Sequence, residues 1–175
     1  MQKIEKTKLI IICGLAYAGK TTLGKAVVKR SGYATVDVDV TKEQLYGKGF
    51  NDDDLTPEQW VKIYNETDKQ IENYLKEGKS VVDESRNFSK SERVNAKEIA
   101  KKCGSDFILV YVNTPEKIVR QRHIENRENP TRHDVKDKDF EEIIKNFEPP
   151  TVDENPIIFN QTDNISQWIS NLLSH

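Results

Sequence analysis

Gly14, Gly19, Lys20 and Thr21 stand at the spacing GxxxxGK[ST], within the run Gly14-Leu15-Ala16-Tyr17-Ala18-Gly19-Lys20-Thr21-Thr22. That spacing suits a polyphosphate. Small residues at Gly14, Ala16, Ala18 and Gly19 let successive backbone N–H groups turn inward around phosphate oxygens. Lys20 then reaches the outer phosphates, and a hydroxyl, Thr21 with Thr22 beside it, ligates Mg2+. Three acids supply the remaining chemistry. Asp37 and Asp39 are two apart in Tyr33–Asp39, a stretch read as a strand from its Val and Thr content, so both side chains point to one face. Asp83 ends Val81-Val82-Asp83, the apolar-apolar-acid pattern whose carboxylate orients magnesium beside a P-loop hydroxyl. Phosphoryl transfer needs a proton acceptor for the incoming hydroxyl and ligands for the metal. Asp39, further out, is the candidate base, and Asp37 and Asp83 are the candidate metal ligands. Loop capping is the alternative reading of each acid.

Cations gather later in the chain, where Arg120, Arg122, Arg127 and Arg132 crowd one helix and the polar stretch beyond it. Such a group suits transferred phosphate charge. Helical spacing puts Arg120 and Arg127 on one face with His123 between them, and Arg122 elsewhere. A solvated face paired with Glu116, Glu125 and Glu128 is the alternative. His123, His133 and His175 have no metal-ligand spacing and read as surface residues.

These groups need elements to hold them. Lys8–Cys13 is a β-branched apolar run ahead of the glycine loop, and Leu23–Arg30 behind it is helix-compatible, so strand, loop and helix follow in order. After the second strand comes a loop region with Gly47, Gly49 and Asn51–Asp54. Thr56-Pro57-Glu58-Gln59 opens a helix running to Gly78 with a capping box and Pro at its first position. Its stripe of Trp60, Val61, Ile63, Tyr64, Ile71, Tyr74 and Leu75 reads as core, with a face able to wall a substrate site. A third strand over 79–83, a helix over 91–102, a fourth strand over 107–112 and a helix from a Thr114-Pro115-Glu116 start to about Arg127 come next. A helix over 139–147, a strand over 156–159 and a closing helix over 165–173 complete a βαβα alternation. This predicts an α/β chain with a five-stranded parallel sheet between helical layers and ligands at the carboxyl ends of the strands.

The 175 residues fit one domain with a lid segment at about 120–136, and the net charge of -2 gives no global pull toward nucleic acid or anionic membrane. The N-terminal apolar run is too short for a signal segment or a span, so a cytoplasmic protein is expected. Cys13 and Cys103 are isolated and read as reduced and buried.

With the glycine loop, the Asp37-Val38-Asp39 pair and the arginine-rich segment together, the chain resembles the P-loop small-molecule kinases. It is similar to the ATP-binding kinase-like group that includes chloramphenicol phosphotransferase and the kinase half of polynucleotide kinase. The resemblance implies a nucleotide-kinase-like P-loop NTPase fold and ATP with Mg2+ bound over Gly14–Thr22. It also implies Asp39 as base and arginines following the fourth strand as lid residues. Arg122 and Arg127 fit the catalytic lid positions, and Arg120 is a further nucleotide contact. The Asp pair resembles the DxD of shikimate-type kinases, where the first acid serves the metal and the second the substrate. Members often carry an arginine three residues after the base; Lys42 stands there and keeps the charge without the bidentate fork. Glu84-Ser85-Arg86-Asn87 departs from the pattern after the third strand, with Arg86 as a substrate contact beside Lys42 and Asp39. Asn146–Pro150 resembles the segment that follows the lid helix.

The resulting expectation is an enzyme moving the γ-phosphate of ATP to a hydroxyl of a small molecule. A polynucleotide or charged-RNA kinase is the second reading, because residues 117–136 are basic, although interleaved with acids and without aromatics for stacking. A GTPase-type switch is the third. It rests on Asn160-Gln161-Thr162-Asp163, a stretch similar to a guanine-reading NKxD without its lysine.

Overall fold

A computed structural model describes residues 6–49, 52–131 and 134–174. Arg132, His133 and His175 from the cluster and the histidine set lie outside the described residues. All strands pair in parallel, in the order β2-β3-β1-β4-β5. Their ranges are β1 Lys8–Cys13, β2 Ala34–Val36, β3 Val81–Asp83, β4 Asp106–Asn113 and β5 Ile157–Asn160. The helices are α1 Lys20–Ser31, α2 Val38–Tyr46, α3 Pro57–Lys76, α4 Lys90–Lys102, α5 Glu116–Glu128, α6 Asp137–Asn146 and α7 Ile165–Leu173.

Strand alternation splits the core into two layers. Ile10 and Ile12 of β1 pack with Leu23 and Val27 of α1, Phe140 of α6, and Ile169 and Leu172 of α7. Leu9, Ile11 and Cys13 face the other way, onto Ile71 and Leu75 of α3 and Ala96, Ile99 and Ala100 of α4. The three-layer α/β/α expectation therefore holds. The capping box at Thr56 and Gln59 forms as read. No described helix is long and apolar enough to cross a membrane.

Three local expectations change. The second strand stops at Val36, and a helix, α2, occupies what reads as strand end and loop. The cause is Asp37, the N-cap, whose Oδ1 accepts from the N–H of Asp39 at 2.7 Å and of Val40 at 3.4 Å. Asp37 and Asp39 are thus a cap and a first-turn residue, not alternate strand positions. Thr114 does not cap α5; its hydroxyl donates to the Ala18 carbonyl at 2.7 Å. His123 is a buried residue rather than a surface one. It stacks on Phe140 at 4.1 Å, with Nε2 2.7 Å from the Val135 carbonyl.

Candidate active site

The sheet order puts the end of β1 between β3 and β4, so the loops after these strands converge on one edge. Gly14 leaves β1 at φ +151, where a Cβ would stand 2.8 Å from the Val112 carbonyl oxygen. Only glycine lets the backbone turn so close to β4. Gly19 caps α1 at φ 105 with no side-chain cap bond, and the N–H groups of such a helix start suit an anion. Lys20 Nζ donates to the carbonyls of Gly14 at 3.0 Å and Leu15 at 2.9 Å, which sets it over the same loop. Tyr17, at φ 61, packs against His123 and Phe140, and its hydroxyl accepts from the Val135 N–H at 3.3 Å. Cys13, just before the loop, is unreactive: burial pushes its thiol up to about 12.

A cavity of about 1140 Å³ opens over this cradle, and Lys20, Thr21, Asp37, Asp39, Glu84 and Arg122 all line it. Its acids are arranged differently from the expectation. Thr21 Oγ1 donates to Glu84 Oε2 at 2.8 Å, so the carboxylate against the P-loop hydroxyl is Glu84. Gly24 of α1 makes room for it, since a Cβ there would come within 3.0 Å of Glu84 Cγ. Burial raises the Glu84 carboxyl above its ordinary range, against the pull of the Thr21 hydroxyl and with the Asp37 charge adding to the rise.

Asp83 does not reach the cavity. It is fully buried, accepting at Oδ1 from Ser85 N–H at 3.1 Å and Ser85 Oγ at 3.0 Å, and at Oδ2 from Arg86 Nε at 3.0 Å and Asn87 Nδ2 at 3.4 Å. The hydrogen bonds of Asp83 are made within the β3–α4 loop, which it holds together. Successive strand residues face opposite sides, so when Asp83 turns inward the next residue turns to the cradle. That alternation was the available signal for Glu84.

On the other flank, Asp39 is exposed and Lys42 Nζ donates to its Oδ1 at 3.3 Å and to Asp52 Oδ1 at 2.6 Å. Burial opposes the Lys42 charge, but the bond to Asp52 and the Asp39 charge hold its pKa above the ordinary value. Lys42 therefore stays a cation that orients Asp39. Arg86 is half-buried and bonded to both Asp83 and Asp68, and its guanidinium lies 6.0 Å over the Tyr64 ring. It borders a second cavity of about 360 Å³ lined by Val61, Tyr64, Asn65 and Asn95.

The arginines separate. Arg122 Nη1 donates to the carbonyls of Tyr17 at 3.0 Å and Ala18 at 3.2 Å, at the cavity wall. Arg120 is taken up by Glu116 and Glu141 on the surface, and Arg127 by Asp134 and Asp137. Neither of these two lines the cavity. The side chains on hand suit a hard divalent cation, with the Thr21 hydroxyl, Glu84 and Asp37 offering oxygen donors beside the phosphate cradle.

Residues 9–150 match the AAA domain family. L-seryl-tRNA(Sec) kinase from Methanococcus maripaludis is 30% identical over 122 residues, covering 67% of this chain and 45% of that protein. The chain thus spans under half the length of that relative. The APS kinase of Mycobacterium tuberculosis, solved with AMPPNP and APS, superposes with a TM-score of 0.68 at 16% identity, over 97% of this chain and 96% of that one. Kti12 of Chaetomium thermophilum, solved with ADP-AlF3, superposes with a TM-score of 0.70 at 15% identity, over 95% and 97%. The glycine-loop cradle, the parallel sheet and the family match together identify the chain as a member of the AAA domain family with a P-loop kinase fold.

Proposed function

We propose that this protein is an ATP-dependent kinase that moves the γ-phosphate of ATP to a hydroxyl of a small molecule. The observation that carries the reading is one cavity with a donor side and an acceptor side. Lys20, the uncapped start of α1 and the Thr21–Glu84 contact stand on one flank, and Asp39 stands on the other. Lys20 and the first-turn N–H groups hold the β- and γ-phosphates, and Arg122 adds charge at the wall. Thr21, Glu84 and Asp37 would hold Mg2+, which when bound neutralises phosphate charge. The acceptor oxygen bonds to the γ-phosphorus as the bond to the β,γ-bridging oxygen breaks, ADP leaves, and the hydroxyl proton passes to the Asp39 carboxylate. Positioning and electrostatics supply the rate. Residues 120–136 act as the lid. Lys136 Nζ, 2.7 Å from Asp53 Oδ2, ties that segment to the acceptor flank.

A screen of ATP consumption over hydroxyl-bearing metabolites, nucleosides, antibiotics and 5′-hydroxyl oligonucleotides, with Lys20→Ala as blank, tests this reading. Acceptor-dependent turnover above the blank supports it; turnover that ignores every acceptor counts against it. The seryl-tRNA kinase relative favours a second reading, a charged RNA as acceptor. Against it, Arg120, Arg127 and Lys136 are each engaged by carboxylates, which leaves less positive charge for a phosphate backbone. RNA affinity that falls steeply with salt would raise it above the first.

A further inference from the structure

Gln161, the residue after β5, uses both ends of its amide. Nε2 donates to Thr114 Oγ1 at 2.6 Å, and Oε1 accepts from Arg122 Nη2 at 2.6 Å. Thr114 Oγ1 gives its own proton to the Ala18 carbonyl at 2.7 Å, and Arg122 Nη1 donates to that same oxygen at 3.2 Å. The four groups close a ring: P-loop carbonyl, threonine hydroxyl, glutamine amide, guanidinium. Because the single Thr114 proton goes to Ala18, its oxygen must accept from Gln161, which leaves the amide oxygen to Arg122. Thr114 is buried, Gln161 and Arg122 line the large cavity, and a Cβ on Gly19 would lie 3.8 Å from Arg122 Nη1.

We propose that Gln161 is a positioning residue that clamps Arg122 against the P-loop, so that the guanidinium faces bound nucleotide and the loop after β5 is tied to the phosphate cradle. This rests on the reading that the cavity binds ATP. Without it, Arg122 keeps the P-loop carbonyls as anchors on Nη1 and loses the acceptor that fixes Nη2.

Calorimetric titration of the full chain with Mg·ATP tests the proposal, using wild type, Gln161→Leu, Gln161→Glu, Arg122→Leu and the Gln161→Leu/Arg122→Leu pair. Loss of one charge-assisted bond predicts about a tenfold weaker Kd for Gln161→Leu. Gln161→Glu keeps an acceptor for Arg122, now with charge on both sides, but has no N–H for Thr114 Oγ1, so it should recover part of the loss and bind Mg·ATP more tightly than Gln161→Leu. In the Arg122→Leu background the glutamine change should cost less than about twofold, because the two act as one unit. A Gln161→Glu variant as weak as Gln161→Leu, or an undiminished loss in the Arg122→Leu background, overturns the proposal. Thermal melts accompany each variant; if Gln161→Leu unfolds, Gln161→Met carries the same cycle. Equal Mg·ATP binding by wild type and Lys20→Ala would instead sink the nucleotide reading, and the clamp with it.

Discussion

Glu154→Gln should destabilise this protein more than its position in a surface turn suggests. The Arg93 side chain on α4 is 1% exposed and that of Glu154 is 9% exposed. Arg93 Nε meets Oε2 at 2.7 Å and Nη2 meets Oε1 at 3.0 Å, a two-pronged pair. Glutamine keeps the shape but removes the charge and turns an NH2 group toward the guanidinium. Arg93 otherwise donates to the carbonyls of Asn87 and Phe88, each at 3.4 Å. Leaving a buried charge without its partner costs about 3–5 kcal/mol, against a total stability of roughly 5–15 kcal/mol for a domain. Urea unfolding at pH 7 should show a lower midpoint with an unchanged slope.

The same pair has a pH signature. The hydrogen bond from Arg93 is the leading cause holding the Glu154 carboxyl below its ordinary range, against the effect of burial. A depressed carboxylate contributes its full stability above the unfolded pKa of about 4.3 and loses it as pH falls through the folded value. Wild type and variant should therefore differ most at neutral pH and converge in acid. A difference below about 1 kcal/mol at pH 7, in the range of an exposed ion pair, or one that stays constant into acid, would refute the reasoning.

Three further outcomes follow from the site. Glu84→Gln should leave the fold intact and reduce the enhancement of ATP affinity by Mg2+, measured by titration with and without the metal. Gly24→Ala should gain helix propensity of up to about 1 kcal/mol yet weaken Mg·ATP binding, because its Cβ, 3.0 Å from Glu84 Cγ, pushes that side chain from Thr21. A melt at or above the wild-type temperature together with weaker binding is the expected pair of results. Arg120→Ala should change ATP affinity by less than about twofold, within the range of surface substitutions away from a site, whereas Arg122→Ala should weaken it clearly.

Legibility in the sequence followed how local the determinants are. The cradle was readable because Gly14, Gly19, Lys20 and Thr21 act through backbone conformation and fixed spacing. The parallel sheet was readable from short apolar strands between capped helices, and the Thr56 box formed as written. What escaped depends on where a side chain spends its hydrogen bonds. Asp37 reads equally as a strand acid or a helix cap, and two backbone N–H groups at 2.7 and 3.4 Å decide for the cap. Asp83 matches the metal-strand pattern, but Ser85, Arg86 and Asn87 occupy it and Glu84 takes the place at Thr21. The arginines look alike in sequence, and carboxylates on α5, α6 and the stretch between them separate Arg120 and Arg127 from Arg122. Thr114, 96 residues from Ala18, reads as a helix cap until the tertiary contact is known.

The central claim is tested most directly by phosphoryl transfer from γ-labelled ATP to the acceptor found in the screen, comparing wild type with Asp39→Asn alongside Mg·ATP affinity. Loss of a general base predicts transfer slower by about 10²–10⁴-fold with affinity for Mg·ATP retained, since Asp39 stands on the acceptor flank. Transfer at the wild-type rate in Asp39→Asn would contradict the account.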